Sequence, residues 1–180
     1  MNRTQKIAVL AVAGFAALAA GALVAAYRQH APQQSASGAA AMLFAQTLPD
    51  AEGTPHHLSA YRGQLLVVNF WATWCAPCVE EIPAFSRLQT EYGSRVKFLG
   101  IGIDTSTNIT SFQQKVHPSY PLLVAGAVGT DLAHEFGDRS GGLPFTVVIG
   151  PGGEVRAVKL GRVDENALRV WLDLPAAKPG

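Results

Sequence analysis

At 180 residues, 48% of them hydrophobic and 15% charged, with a formal net charge of +1, the chain has room for one globular domain and little else. Met42 to Pro175 carries ten Lys and Arg against thirteen Asp and Glu, a net of about −3. A nucleic-acid binder should show a basic face or stripe, and the absence of one excludes that class.

In chain order, Ile7 to Ala26 is twenty residues without a charge, preceded by Arg3 and Lys6. This is long enough to cross a bilayer as a helix and longer than the usual apolar core of a signal peptide. Small residues at Ala20-Gly21-Ala22 and Val24-Ala25-Ala26 also suit cleavage, which leaves a soluble exported protein as the alternative to a tethered one. No cysteine follows, so a lipoprotein is excluded. Either way the basic N-terminus stays in the cytoplasm and the rest is exported to an oxidising compartment. The expected division is residues 1–41 as anchor or signal segment plus linker, 42–175 as the folded domain and 176–180 as a tail. The linker is Tyr27 to Ala41, rich in Gln, Ser, Ala and Gly. Met42 to Leu58 reads as an extended segment anchored by Leu43, Phe44 and Leu48, with a turn at Asp50-Ala51-Glu52-Gly53 and loop histidines at His56 and His57.

Leu65 to Phe70 is a continuous apolar run, partly β-branched, broken only by Asn69, as expected of a strand buried on both faces. It runs into Trp71-Ala72-Thr73-Trp74-Cys75-Ala76-Pro77-Cys78, which holds the only two cysteines. Two residues between them allow a small disulfide ring, and Cys75 falls at a helix N-terminus, where unpaired N–H groups and the helix dipole stabilise a thiolate. Cys75 is the candidate nucleophile and Cys78, one turn further in, the residue that resolves its mixed disulfide. A zinc half-site and a purely structural disulfide are the competing readings. Zinc wants about four ligands. The chain offers no second CxxC, and its histidines (His30, His56, His57, His117, His134) are scattered. A two-residue loop gains little from closure.

Val79, Ile82, Phe85, Leu88 and Tyr92 mark the buried stripe of the helix that follows, with Pro83 inside it and Gly93 at its end. On spacing alone Glu81 is a solvated helix-face carboxylate and Asn69 satisfies nearby backbone groups. Val96 to Ile103 is a second core strand, followed by a polar loop and a short helix to about His117. Tyr120 to Ala125 is a strand, and Thr130 is expected to cap a helix from Asp131 to Phe136. Phe145–Ile149, a turn at Pro151-Gly152-Gly153 and Val155–Leu160 form a hairpin. Asp164 caps a last helix that buries Leu168, Trp171 and Leu172 and stops at Pro175.

The run Val67 to Cys78, with Glu81-Ile82-Pro83, Gly100 to Asp104 and Gly142 to Ile149, resembles the membrane-anchored TlpA/ResA/CcmG-like thiol–disulfide oxidoreductases of the thioredoxin superfamily over about residues 43–174. The resemblance implies an α/β thioredoxin fold, a central mixed sheet with helices on both faces, with an added N-terminal β-hairpin and a central insertion. It implies that Cys75, Cys78 and Glu81 are catalytic, Glu81 matching the glutamate of C-x-x-C-x-x-E-x-P. A cis-proline is expected at Pro144. Trp74, Ala76, Pro77, Leu143 and Pro144 would then receive an extended client polypeptide beside the cysteines. Asn69 stands where many thioredoxins have a titratable Asp, which moves proton transfer elsewhere, and Gly150 stands where the family often has Asp.

What the resemblance implies for function is a reductase of protein disulfides at the bacterial inner membrane, facing the periplasm. It would need no metal and no cofactor beyond the Cys75–Cys78 disulfide, be recharged by a membrane electron donor, and act on clients such as apocytochromes or copper-site proteins. A peroxiredoxin-like peroxidase and a copper-handling chaperone are the alternatives. The first usually has Thr-x-x-Cys without a CxxC partner, and the second commonly has C-x-x-x-C with a distant His.

Overall fold

The computed structural model describes residues 38–173 and, apart from them, Gly21. Apart from Gly21, Ile7 to Ala26 lies outside the described residues, as do most of the linker, Pro175 and the tail at 176–180. Among the described residues no helix is long and apolar enough to cross a membrane.

A helix, α1, runs through residues 38–44 and buries Ala39, Ala40, Leu43 and Phe44. Leu43 and Phe44 are therefore helical anchors rather than part of an extended segment, and residues 38–41 are helix rather than linker. A short antiparallel hairpin follows, β1 Thr47–Pro49 and β2 Pro55–His57. Asp50 shapes its turn by accepting the N–H groups of Glu52 and Thr54 on one carboxylate oxygen, at 3.0 and 2.8 Å. His56 and His57 lie in β2, not in a loop. The His56 ring meets Asp50 Oδ2 at 3.0 Å and His57 meets the Thr47 hydroxyl at 2.9 Å.

The main sheet has five strands: β3 Leu65–Trp71, β4 Val96–Gly102, β5 Leu122–Val124, β6 Phe145–Ile149 and β7 Val155–Leu160, in the order β5-β4-β3-β6-β7. β3 is central, parallel to β4 and antiparallel to β6. Its side chains alternate as strand geometry requires. Leu66, Val68 and Phe70 enter one core layer with α1 and α4 (Ala127–Glu135), while Val67 and Trp71 enter the other with α2 (Ala76–Tyr92) and α5 (Glu165–Asp173). This is the mixed sheet with helices on both faces that the resemblance implied. α2 ends at Gly93, and Asp164 caps α5 by accepting the N–H groups of Asn166 and Ala167.

α3, Ser106–Val116, is capped by the Thr105 hydroxyl and buries Ile109. Thr130 does not cap a helix as expected. α4 starts at Ala127 after Gly126, whose φ of +53° suits glycine, and Thr130 is inside it.

Gly102, at the end of β4, lets α3 close on the sheet: a Cβ there would stand 2.3 Å from Ile109 Cδ1 and 3.0 Å from the Leu123 carbonyl oxygen. The isoleucine end can turn away, but the strand carbonyl cannot. Gly102→Ala is expected to destabilise the domain by about 1–3 kcal/mol, the range for overpacking a core. A urea midpoint equal to that of the parent protein would show that α3 gives way freely.

Candidate active site

β3 and α2 build the site between them. After Trp71 the chain turns through Ala72-Thr73-Trp74, and this turn is tied to the end of β4. The Ile103 N–H donates to the Trp71 carbonyl at 2.8 Å, and the Thr73 N–H donates to Asp104 Oδ2 at 3.0 Å. Burial works against the Asp104 charge, but the hydrogen bonds from Thr73, Asn108 and Thr105 prevail and hold its carboxyl below the usual range.

Cys75 is the N-cap of α2, and its sulfur accepts the Cys78 N–H at 3.3 Å. Pro77 in the first turn removes an N–H that would have had no helical partner. Cys75 and Cys78 are joined as a disulfide with Sγ–Sγ of 2.03 Å. Cys75 retains 6% exposure and Cys78 none. Trp74 is 69% exposed, and Ala76 and Pro77 also face solvent. The Leu143–Pro144 peptide bond is cis. Leu143 packs against the core layer containing both cysteines and lines one cavity with Trp74, so two of the expected client-binding residues are brought together.

Glu81 departs most from the spacing-only reading. It is 1% exposed, not on a solvated face. One carboxylate oxygen accepts Asn69 Nδ2–H at 2.8 Å and the other accepts the Val163 N–H at 3.1 Å. Asn69 therefore does not serve nearby backbone. It also donates to the Thr146 hydroxyl at 3.0 Å, across the β3–β6 pairing that places the two residues opposite each other. Burial pushes the Glu81 carboxyl up from 4.5 to about 7, against the pull of the Val163 and Asn69 hydrogen bonds and the charge of Arg162. The Tyr120 hydroxyl, buried without a partner, is raised well above its ordinary value by burial and then by the Glu81 charge. Glu80, next in sequence, is exposed and pairs with Arg162 at 2.7 Å. Of the two carboxylates after the cysteines, only Glu81 is buried.

Thr146, the Val163 N–H, Tyr120 and Arg162 went unread in the sequence. Val163 bonds Glu81 directly, Thr146 is reached through Asn69, and Tyr120 and Arg162 act on Glu81 through charge; all come from distant parts of the chain, and no local pattern announces them. Among the described residues, no group of three or more His, Cys, Asp or Glu side chains is placed to hold a metal ion.

A family model described as the AhpC/TSA family matches residues 38–158. The chain belongs to the AhpC/TSA family. Among its relatives, thiol-disulfide oxidoreductase ResA of Geobacillus thermodenitrificans is 28% identical over 128 residues, 70% of this chain and 71% of that one. The crystal structure of a thioredoxin-related protein from Neisseria meningitidis serogroup B matches with a TM-score of 0.62 and 34% identity. It covers 71% of this chain and 96% of that chain. A thiol:disulfide interchange protein of the thioredoxin family from Chlorobium tepidum matches with a TM-score of 0.64 and 25% identity, over 71% and 90% of the two chains. This AhpC/TSA chain is a thiol–disulfide oxidoreductase on a thioredoxin-like fold.

Proposed function

We propose that the protein is an exported reductase of protein disulfides, in which Cys75 attacks, Cys78 resolves and Glu81 handles the proton of Cys78. The Cys75 thiolate attacks one sulfur of a client disulfide, forming a mixed disulfide and releasing the other client sulfur as a thiolate. Cys78 then loses its proton to Glu81 and attacks the Cys75 sulfur. The second client thiolate leaves and the Cys75–Cys78 disulfide forms. Two electrons have passed to the client, and a membrane dithiol donor returns them by the reverse exchange. Under this reading the segment Ile7 to Ala26 tethers the domain at the periplasmic face of the inner membrane, and the clients are apocytochromes or copper-site proteins.

The observation that carries the direction is the buried Glu81 three residues beyond Cys78, on the same helix face, with a carboxyl poised at about 7. Its negative charge disfavours a thiolate at Cys78, and Ala76-Pro77 supplies no cation between the cysteines to favour one. An oxidant needs the opposite, a strongly stabilised reduced form. Glu80 adds little, because Arg162 offsets its charge. Equilibration with glutathione should therefore place the couple nearer the roughly −270 mV of a reductant than the roughly −120 mV of an oxidant. A potential above about −180 mV would overturn the assignment.

A further inference from the structure

A cavity of about 210 Å³ is walled by Trp74, which directly precedes Cys75, by Leu143, which packs on the core layer holding both cysteines, and by Ile103 and Ala133, and is also lined by Asp138. Asp138 is only 5% exposed. Its Oδ1 accepts the Ser140 N–H at 3.1 Å, the Ser140 hydroxyl at 2.9 Å and the Gly142 N–H at 3.3 Å, which fixes the loop leading to Leu143 and Pro144. Its Oδ2 is buried and accepts nothing, and no ion pair among the described residues involves it. Holding the loop uses one oxygen, a role that Asn would fill equally well. The second oxygen and the charge are left unused, at a cost that folded proteins rarely carry without a purpose.

We propose that this cavity is a specificity subsite for a basic residue, Lys or Arg, adjacent to the reacting cysteine of the client. The chemistry of the walls selects that class. Ile103, Ala133 and Leu143 accommodate the methylene stem, the exposed Trp74 indole offers a face to a cation, and the Asp138 carboxylate is an acceptor for the charged head. An acidic client residue there would set a second carboxylate against Asp138.

This inference rests on the exchange reaction proposed above, and one experiment separates the two. Reduced full-length protein is mixed with short peptides whose single Cys is a glutathione mixed disulfide and whose residue immediately before or after that Cys is Lys, Ala or Glu. At one of the two positions Lys should exceed Glu in second-order rate by about tenfold, as for one charge-assisted hydrogen bond. The excess should persist at about 0.5 M salt, where exposed charges are largely screened. Asp138→Asn keeps an oxygen for the loop and turns the other position into a donor, so the Lys-to-Glu ratio should fall to within twofold. Thr130→Lys, at an exposed helix position lining the same cavity, supplies a competing cation and should flatten the ratio with Asp138 in place. Exchange with the Ala peptide but Lys and Glu rates within twofold in the parent protein would overturn the subsite alone. A ratio retained in either variant would do the same. No exchange with any peptide would overturn the reaction and, with it, the subsite.

Discussion

Glu81→Gln is expected to slow the resolving step by about 10²–10⁴-fold, the usual contribution of a positioned proton-transfer group. In the parent protein, single-turnover release of client thiol should rise with pH through about 7, as Glu81 ionises and becomes able to take the Cys78 proton, and then level off. The Gln variant cannot accept that proton, so its rate should climb only as the thiol ionises by itself, near 8.5 or above. Superimposable pH profiles would return Glu81 to a structural role. The same substitution has an equilibrium signature. A carboxyl whose folded value is raised from 4.5 to about 7 holds a proton that the unfolded chain has released, so the stability it contributes is fully present below pH 4.5 and lost as pH rises through 7. At 1.36 kcal/mol per unit the loss amounts to about 3 kcal/mol. Unfolding free energies of the oxidised proteins from urea titration should therefore shift in favour of the Gln variant by about that much between roughly pH 4.5 and 8. Parallel curves would mean that the carboxylate is better solvated than its burial implies.

The Cys75–Cys78 motif was legible because its placement is local. A strand, a turn and a helix in sequence put Cys75 at a helix N-terminus whatever the rest of the chain does. The mixed sheet with helices on both faces and the cis bond at Pro144 came from the resemblance, and the structure has both; the strand order, β5-β4-β3-β6-β7, was read only from the structure. What escaped was either weakly apolar or non-local. α1 buries a face that is half alanine, beside a run of Gln, Ser and Gly, so its signal sinks into the linker. The start of α4 was hidden by Gly129, which reads as a turn residue. It is inside the helix because a Cβ there would press on Ile103 at 2.9 Å and Ile101 at 3.3 Å, so the missing side chain is what lets α4 lie on β4. The Glu81 environment is set by partners 12 and 82 residues away, Asn69 and Val163, which no period along the chain relates.

Removing either cysteine should have the largest effect, and the two losses should differ in kind. Cys75→Ser is expected to abolish exchange, because the remaining sulfur is fully buried and its attack would require the helix end to open. Cys78→Ser should leave the attack intact and stop the reaction at the mixed disulfide, since no second thiol remains to displace the client. In the native host that variant should accumulate its partner on Cys75, where mass spectrometry of the linked peptide would name the client class. Reactivity of the two single-cysteine proteins supplies the control. Cys75 caps α2, where N–H groups and the helix dipole favour the thiolate, whereas Cys78 is fully buried. Iodoacetamide at neutral pH should then modify Cys75 far faster than Cys78. Equal rates, or a client trapped on Cys78, would invert the assignment and make the inner sulfur the nucleophile.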